Sequence, residues 1–213
     1  MKVVEIEDKS FDPVISFMID NSNLMVYGKP YKGHIKGIAL FDDLDKAKAR
    51  WLGKTLYSKT RSILTYDAQA DKYGEVKVQI GSALKVNDIW FGLHATEPLW
   101  LIVETPEGAK GAIPTAFSWT NFYSDWWKDT RPWEDKFYEF NPKEKFKWSL
   151  EIWQLINDGK VRIGMTKEQV RLAWGRPKKA NEDIYQGSVR EQWVYDSQYL
   201  YFENEKLTAM QNR

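Results

Sequence analysis

Between Thr55 and Phe117 the apolar residues come only in short runs, each closed off by Gly, Asp, Asn or Pro. Such punctuation limits this stretch to short strands joined by tight turns. The runs are Thr55 to Tyr66, Val76 to Ile80, Ala83 to Phe91, Leu99 to Glu104 and Gly111 to Pro114. Several strands at that spacing predict a small barrel or sandwich. Thr105-Pro106-Glu107-Gly108-Ala109 supplies the hairpin between the last two.

The flanks read differently. Val14 to Ile19 and Leu24 to Tyr27 form two short strands around the turn sequence Asp20-Asn21-Ser22-Asn23. A helix follows over 42–50, with acids in its first turn and bases in its last, complementing the helix dipole. Past Lys147, Ser149 reads as the N-cap of a helix whose Leu150, Trp153 and Ile156 form the apolar side, ending at Asn157-Asp158-Gly159. Thr166-Lys167-Glu168-Gln169 is a capping box for a second helix, which Gly175 ends in a left-handed conformation and Pro177 keeps from extending. The remainder is β-like: Ile184-Tyr185, Glu191 to Tyr195, Tyr199 to Phe202 and Leu207 to Met210, with turns at Asp196-Ser197 and Glu203 to Lys206.

The expected fold class is therefore α+β in two modules: a small β-barrel, then two helices with an antiparallel sheet. The parts are an N-terminal extension of mixed structure (1–54), the barrel (55–118), an aromatic connector (119–146) and the α+β domain (147–213). The connector carries nine aromatics over 119–140, including Trp126, Trp127 and Trp133, among charged residues and Pro. That is too apolar for a free linker, so it reads as packed. The chain as a whole has 11 Trp, 11 Tyr and 10 Phe, side chains that serve binding surfaces as well as cores.

Composition excludes several classes. With 31 Lys and Arg against 30 Asp and Glu the net charge is +1, which gives no broad attraction to nucleic acid or an anionic membrane. No apolar run approaches the length of a membrane helix. The absence of cysteine removes disulfides, thiolate metal sites and a lipid-accepting cysteine within this sequence. The opening Met1 to Asp8 lacks a secretory signal pattern, so the chain reads as cytoplasmic or as an envelope protein whose leader lies outside it.

Catalytic and metal-binding motifs are equally thin. Leu52-Gly53-Lys54-Thr55 ends like a phosphate loop, but the first glycine of that motif is replaced by Lys48. His34 and His94 stand apart, short of the four ligands of a structural zinc site, and read as loop residues. Asp42 with Asp43 and Glu203 with Glu205 read as a solvated helix start and a hairpin turn rather than a general acid and base. The expectation is a protein with no catalytic residue, no metal and no organic cofactor.

Two resemblances add to this reading. Leu64-Thr65-Tyr66-Asp67-Ala68-Gln69-Ala70, Gly81-Ser82-Ala83-Leu84-Lys85-Val86, Leu99-Trp100 and Gly111-Ala112-Ile113-Pro114-Thr115-Ala116-Phe117 together resemble a Src-homology-3-like domain over about 55–118. The resemblance implies a shallow groove for extended polyproline II peptides, formed by Tyr66, Trp100, Pro114 and Phe117. Departures are Ala68 where a second Tyr is usual, Phe117 without a hydroxyl, and Lys72 in the acidic loop.

The run Ile156 to Val170, then Trp174-Gly175-Arg176-Pro177, Gln192-Trp193-Val194-Tyr195 and Tyr199 to Leu207, is similar to the SmpA/OmlA small outer-membrane lipoproteins over about 149–213. That family implies a bacterial envelope location, a fold shared with β-lactamase-inhibitor proteins, and no catalysis. The expected function is an envelope scaffold or adaptor that binds a protein, peptide or cell-wall ligand such as peptidoglycan. Its sites are the groove residues above and, second, Trp126, Trp127 and Trp133. Membrane association would come only through a lipid anchor absent from this sequence. Two alternatives stand beside it: a cell-wall or carbohydrate-processing enzyme targeted by the barrel, and a protein inhibitor.

Overall fold

The computed structural model describes residues 2–7, 14–18, 24–30, 38–67, 69–92, 94, 96–118, 130–185 and 188–212. Three antiparallel sheets and a few short helices make it a mixed α+β structure. The first sheet is β1 (Lys2–Glu7), β2 (Val14–Met18) and β3 (Met25–Gly28), paired in sequence order. The turn expected at 20–23 lies outside the described residues.

The second sheet has seven strands. In chain order they are β4 (Thr55–Ser58), β5 (Ser62–Asp67), β6 (Lys72–Lys77), β7 (Ala83–Phe91), β8 (Leu99–Glu104), β9 (Lys110–Thr115) and β10 (Phe137–Tyr138). They lie in the order β10-β4-β7-β8-β9-β5-β6. Alternation fixes the faces: Leu99, Leu101 and Val103 of β8 are fully buried while Trp100, Ile102 and Glu104 between them are not. In β7 a bulge between Val86 and Asp88 inserts one residue, so that Ile89 rejoins Leu84 and Val86 on the buried side. Helix α1 (Phe41–Trp51) lays Leu44, Ala47 and Trp51 on that side. Its spacing of three and four residues makes one apolar stripe.

The expected barrel is not closed. Strands β10 and β6 are the two outer strands of the order, and no ladder joins them. The ladder between β5 and β9 has a single register pair, Leu64 with Ala112, and β5 continues instead into its hairpin with β6.

The third sheet is a meander of β11 (Lys179–Tyr185), β12 (Ser188–Val194), β13 (Gln198–Glu203) and β14 (Lys206–Asn212). Helices α3 (Leu150–Asn157) and α4 (Lys167–Trp174) bury Trp153, Ile156, Val170 and Leu172 in one core with Trp193, Leu200, Phe202 and Leu207. A short helix α2 (Pro142–Phe146) precedes them. The caps form as the sequence expects: Ser149 accepts from the Ile152 amide at 3.3 Å, and Thr166 and Gln169 make a reciprocal capping box. Gly175 does have a positive φ of 78°, but its ψ of −167° is extended rather than left-handed. A side chain there would be strained all the same.

One residue of the expected apolar stripe lies outside the core. Leu150 is 88% exposed, while Trp153 and Ile156 are buried in the core with the third sheet. Leu150→Gln is therefore expected to change unfolding free energy by less than about 0.5 kcal/mol in urea titration. A loss above about 2 kcal/mol would mean that Leu150 is packed.

The two larger units share side chains. Ile80, from the turn before β7, and Tyr138, from β10, are buried in the core of the third sheet and its helices. The Ile80 amide donates to the Asn157 side-chain oxygen at 2.7 Å, and Arg61 reaches backbone carbonyls of both α3 and α4. Among the described residues no helix is long and apolar enough to cross a membrane.

Candidate functional site

The face of the second sheet opposite buried Leu99, Leu101 and Val103 carries an aromatic patch. In the ladder Trp90 stands opposite Trp100, and Trp100 opposite Pro114, which stacks these residues across three strands. Tyr66 stands opposite Tyr73 in the next hairpin, with ring centroids 5.1 Å apart. Tyr73 closes the gap to Trp100 at 6.1 Å. Trp90 is 57% exposed, and Tyr66 and Tyr73 are half exposed. Ring contacts run from Tyr66 through Tyr73 to Trp100, and Trp90 adjoins them through its register opposite Trp100.

Local sequence explains its shape. A Cβ on Gly92 would lie 2.0 Å from the Trp100 ring nitrogen, so only glycine lets that indole lie down against the backbone. The Trp100 ring nitrogen is buried with no hydrogen-bond partner, a donor left over in the middle of the patch. The Tyr66 hydroxyl donates to Asp71 at 2.6 Å, and that bond raises its pKa. Lys48 reaches over Trp90 at 5.0 Å from the ring centroid.

Three of the seven residues expected to bind ligand, Tyr66, Trp100 and Pro114, belong to this patch. Phe117 does not. Its ring is partly buried against Trp51 and Trp133, at 5.4 and 4.9 Å, on the core side of the sheet. Trp133 is also a core residue, 6% exposed, held between Trp51 and Phe117. Trp126 and Trp127 lie outside the described residues. Sequence reasoning missed Trp90 and Tyr73. Trp90 was findable, since it has the opposite parity to Ile89 in an alternating strand.

A second constellation sits in the cleft where α4 meets β4 and β10. Lys59, Asp135, Glu168 and Arg171 line a cavity of about 520 Å³. The Tyr138 hydroxyl donates to Glu168, and burial together with that carboxylate holds the phenol proton well above its usual range. Lys59 lies 4.0 Å from the Tyr138 ring centroid and 4.0 Å from Glu168. Burial pushes its amine below the ordinary lysine range. Arg176 pairs with Asp135 on the same wall.

The remaining sequence candidates have local partners. Asp42 pairs with Lys46, and Asp43 is buried and accepts from Ser118. Glu203 pairs with Arg190, and Glu205 with Lys167. His94 accepts the Glu97 amide on a ring nitrogen at 3.0 Å, and His34 lies outside the described residues. Among the described residues no three His, Cys, Asp or Glu side chains converge on a metal site. Compared with known protein families, with characterised proteins and with solved structures, the chain matches none.

Proposed function

We propose that this chain is a non-catalytic binding protein, a scaffold or adaptor that takes an extended peptide on the patch formed by Tyr66, Tyr73, Trp90, Trp100 and Pro114. The observation that carries the reading is the exposure of Trp90, Tyr66 and Tyr73 on the face that also carries the partly buried Trp100 and Pro114. Rings of this size left in water are characteristic of recognition surfaces. An extended ligand suits this face because flat aromatic rings held on paired strands ask for little adaptation on either side.

The similarity of 55–118 to Src-homology-3-like domains agrees with this surface. The similarity of 149–213 to SmpA/OmlA lipoproteins adds a bacterial envelope location and a protein, peptide or peptidoglycan partner. Under this reading the chain works without metal or organic cofactor.

A surface-immobilised proline-rich decapeptide and a soluble peptidoglycan fragment are the two probes. Trp90→Ala, chosen because Trp90 is the most exposed ring of the patch, is expected to weaken whichever probe binds by at least about tenfold without changing the unfolding midpoint. Equal affinity of wild type and variant would remove the patch as the site. Recovery of the chain in the soluble cytoplasmic fraction of its own cells would remove the envelope location.

A further inference from the structure

Lys59 follows β4 directly and enters the cleft beneath α4, with its side chain only 16% exposed. A lysine ammonium has three donors, and burying it without acceptors is costly. Among the described residues its partners are the Glu168 carboxylate, at the 4.0 Å limit of an ion pair, and the face of Tyr138. Neither is a hydrogen bond, and Glu168 already accepts from Tyr138. The amine is nevertheless reachable, because it lines the 520 Å³ cavity and a second one of about 250 Å³ on the side of Tyr138 and Phe140. Burial is the main influence favouring its neutral form, and the Arg171 charge adds to it. Glu168, Asp135 and Glu134 oppose them without reversing the direction.

A largely buried, poorly solvated amine close to another cation has its neutral, nucleophilic form favoured. Arg171 supplies the rest of a binding site. It lines the same cavity and lies over Trp193 at 5.6 Å, and among the described residues its buried Nε has no hydrogen-bond partner.

We propose that Lys59 is a carbonyl-capture site, whose amine forms a reversible Schiff base with a small aldehyde or ketone bearing a carboxylate that Arg171 pairs. The nitrogen lone pair bonds to the carbonyl carbon and the carbon–oxygen π electrons move to oxygen. Both amine protons then leave with that oxygen as water, Glu168 carrying a proton between nitrogen and oxygen. Nothing is oxidised or reduced, and water reverses the step. The site captures a ligand and requires no turnover, so it stands independently of the aromatic patch.

The test treats the full chain at pH 7 with glyoxylate and sodium cyanoborohydride, which fixes any imine as a carboxymethyl amine, and maps modified lysines by peptide mass spectrometry. Lys59 is expected to be labelled faster than exposed Lys160, because burial in the cleft holds its amine below the ordinary lysine range and enlarges the neutral fraction. Labelling no faster than Lys160 overturns the proposal, and this comparison within the wild-type chain needs no variant to fold. Acetaldehyde separates the carboxylate requirement: wild type should prefer glyoxylate at Lys59, and Arg171→Gln should lose that preference while still reacting with acetaldehyde. The same preference in both proteins overturns the role of Arg171.

Discussion

Trp51→Ala is expected to lower the unfolding free energy by about 3–5 kcal/mol, the usual cost of deleting a large ring from a packed interior. Trp51 closes α1 and has no exposed surface. Its indole meets Trp133 and Phe137 edge-on, at 5.1 and 5.2 Å, and Phe117 at 5.4 Å, so its loss opens a cavity lined by three rings. Its ring nitrogen also donates to Glu139 at 2.6 Å. Glu139 is held below the ordinary carboxylate range chiefly by its bidentate bond to Arg50, and by Trp51 as well. Trp51→Phe keeps most of the apolar contact and loses that donor, for an expected cost of about 1–2 kcal/mol. Urea titrations with an unchanged slope measure both. Losses below about 1 kcal/mol for the alanine variant would show that the three rings collapse into the vacated space.

That cluster marks where the sequence was legible and where it was not. Local signals came through: the Ser149 cap, the Thr166–Gln169 box, and the strand over Leu99–Glu104 all depend on residues within a few positions of one another. The final hairpin is of the same kind. Asn204 and Glu205 adopt positive φ values of 46° and 71°, which a two-residue turn between paired strands requires.

What escaped depends on distant partners. Strand β10 is two residues long and exists because Phe137 and Tyr138 pair with Ser58 and Tyr57, some eighty positions away, which no periodicity announces. For the same reason nothing local to Trp133, expected to bind as part of the aromatic connector, or to Phe117, expected to bind through the barrel resemblance, announces that both rings pack on Trp51 and on each other. Strand β6 begins at Lys72 rather than Val76 because Tyr73 is held by Tyr66 across the hairpin, a pairing that overrides the polar character of the segment. The resemblance to a barrel fold misled on closure and on Phe117, which lies on the core side of the sheet rather than in a groove. Motif order survives in an open sheet, since each motif is a strand or turn and closure belongs to none of them.

Arg61 gave no signal at all, yet its loss is expected to have the second largest effect. The guanidinium donates from Nε to the Asn157 carbonyl at 3.0 Å, and from one terminal nitrogen to Ile156 at 2.5 Å and Ala173 at 2.7 Å. Those carbonyls end α3 and α4, where helices leave acceptors unpaired and carry partial negative charge. One side chain thus caps two helices from the turn between β4 and β5 of another sheet. Arg61→Ala should cost about 2–3 kcal/mol, kept from being larger by the water that reaches the guanidinium. Arg61→Lys should recover less than half, because a single ammonium cannot span three carbonyls as a planar fork does. Amide exchange at the last turns of α3 and α4 should quicken in the alanine variant while that of β8 stays slow. If instead all three elements exchange faster together, Arg61 acts on the stability of the whole chain, and the seven-stranded sheet and the helical unit unfold as one.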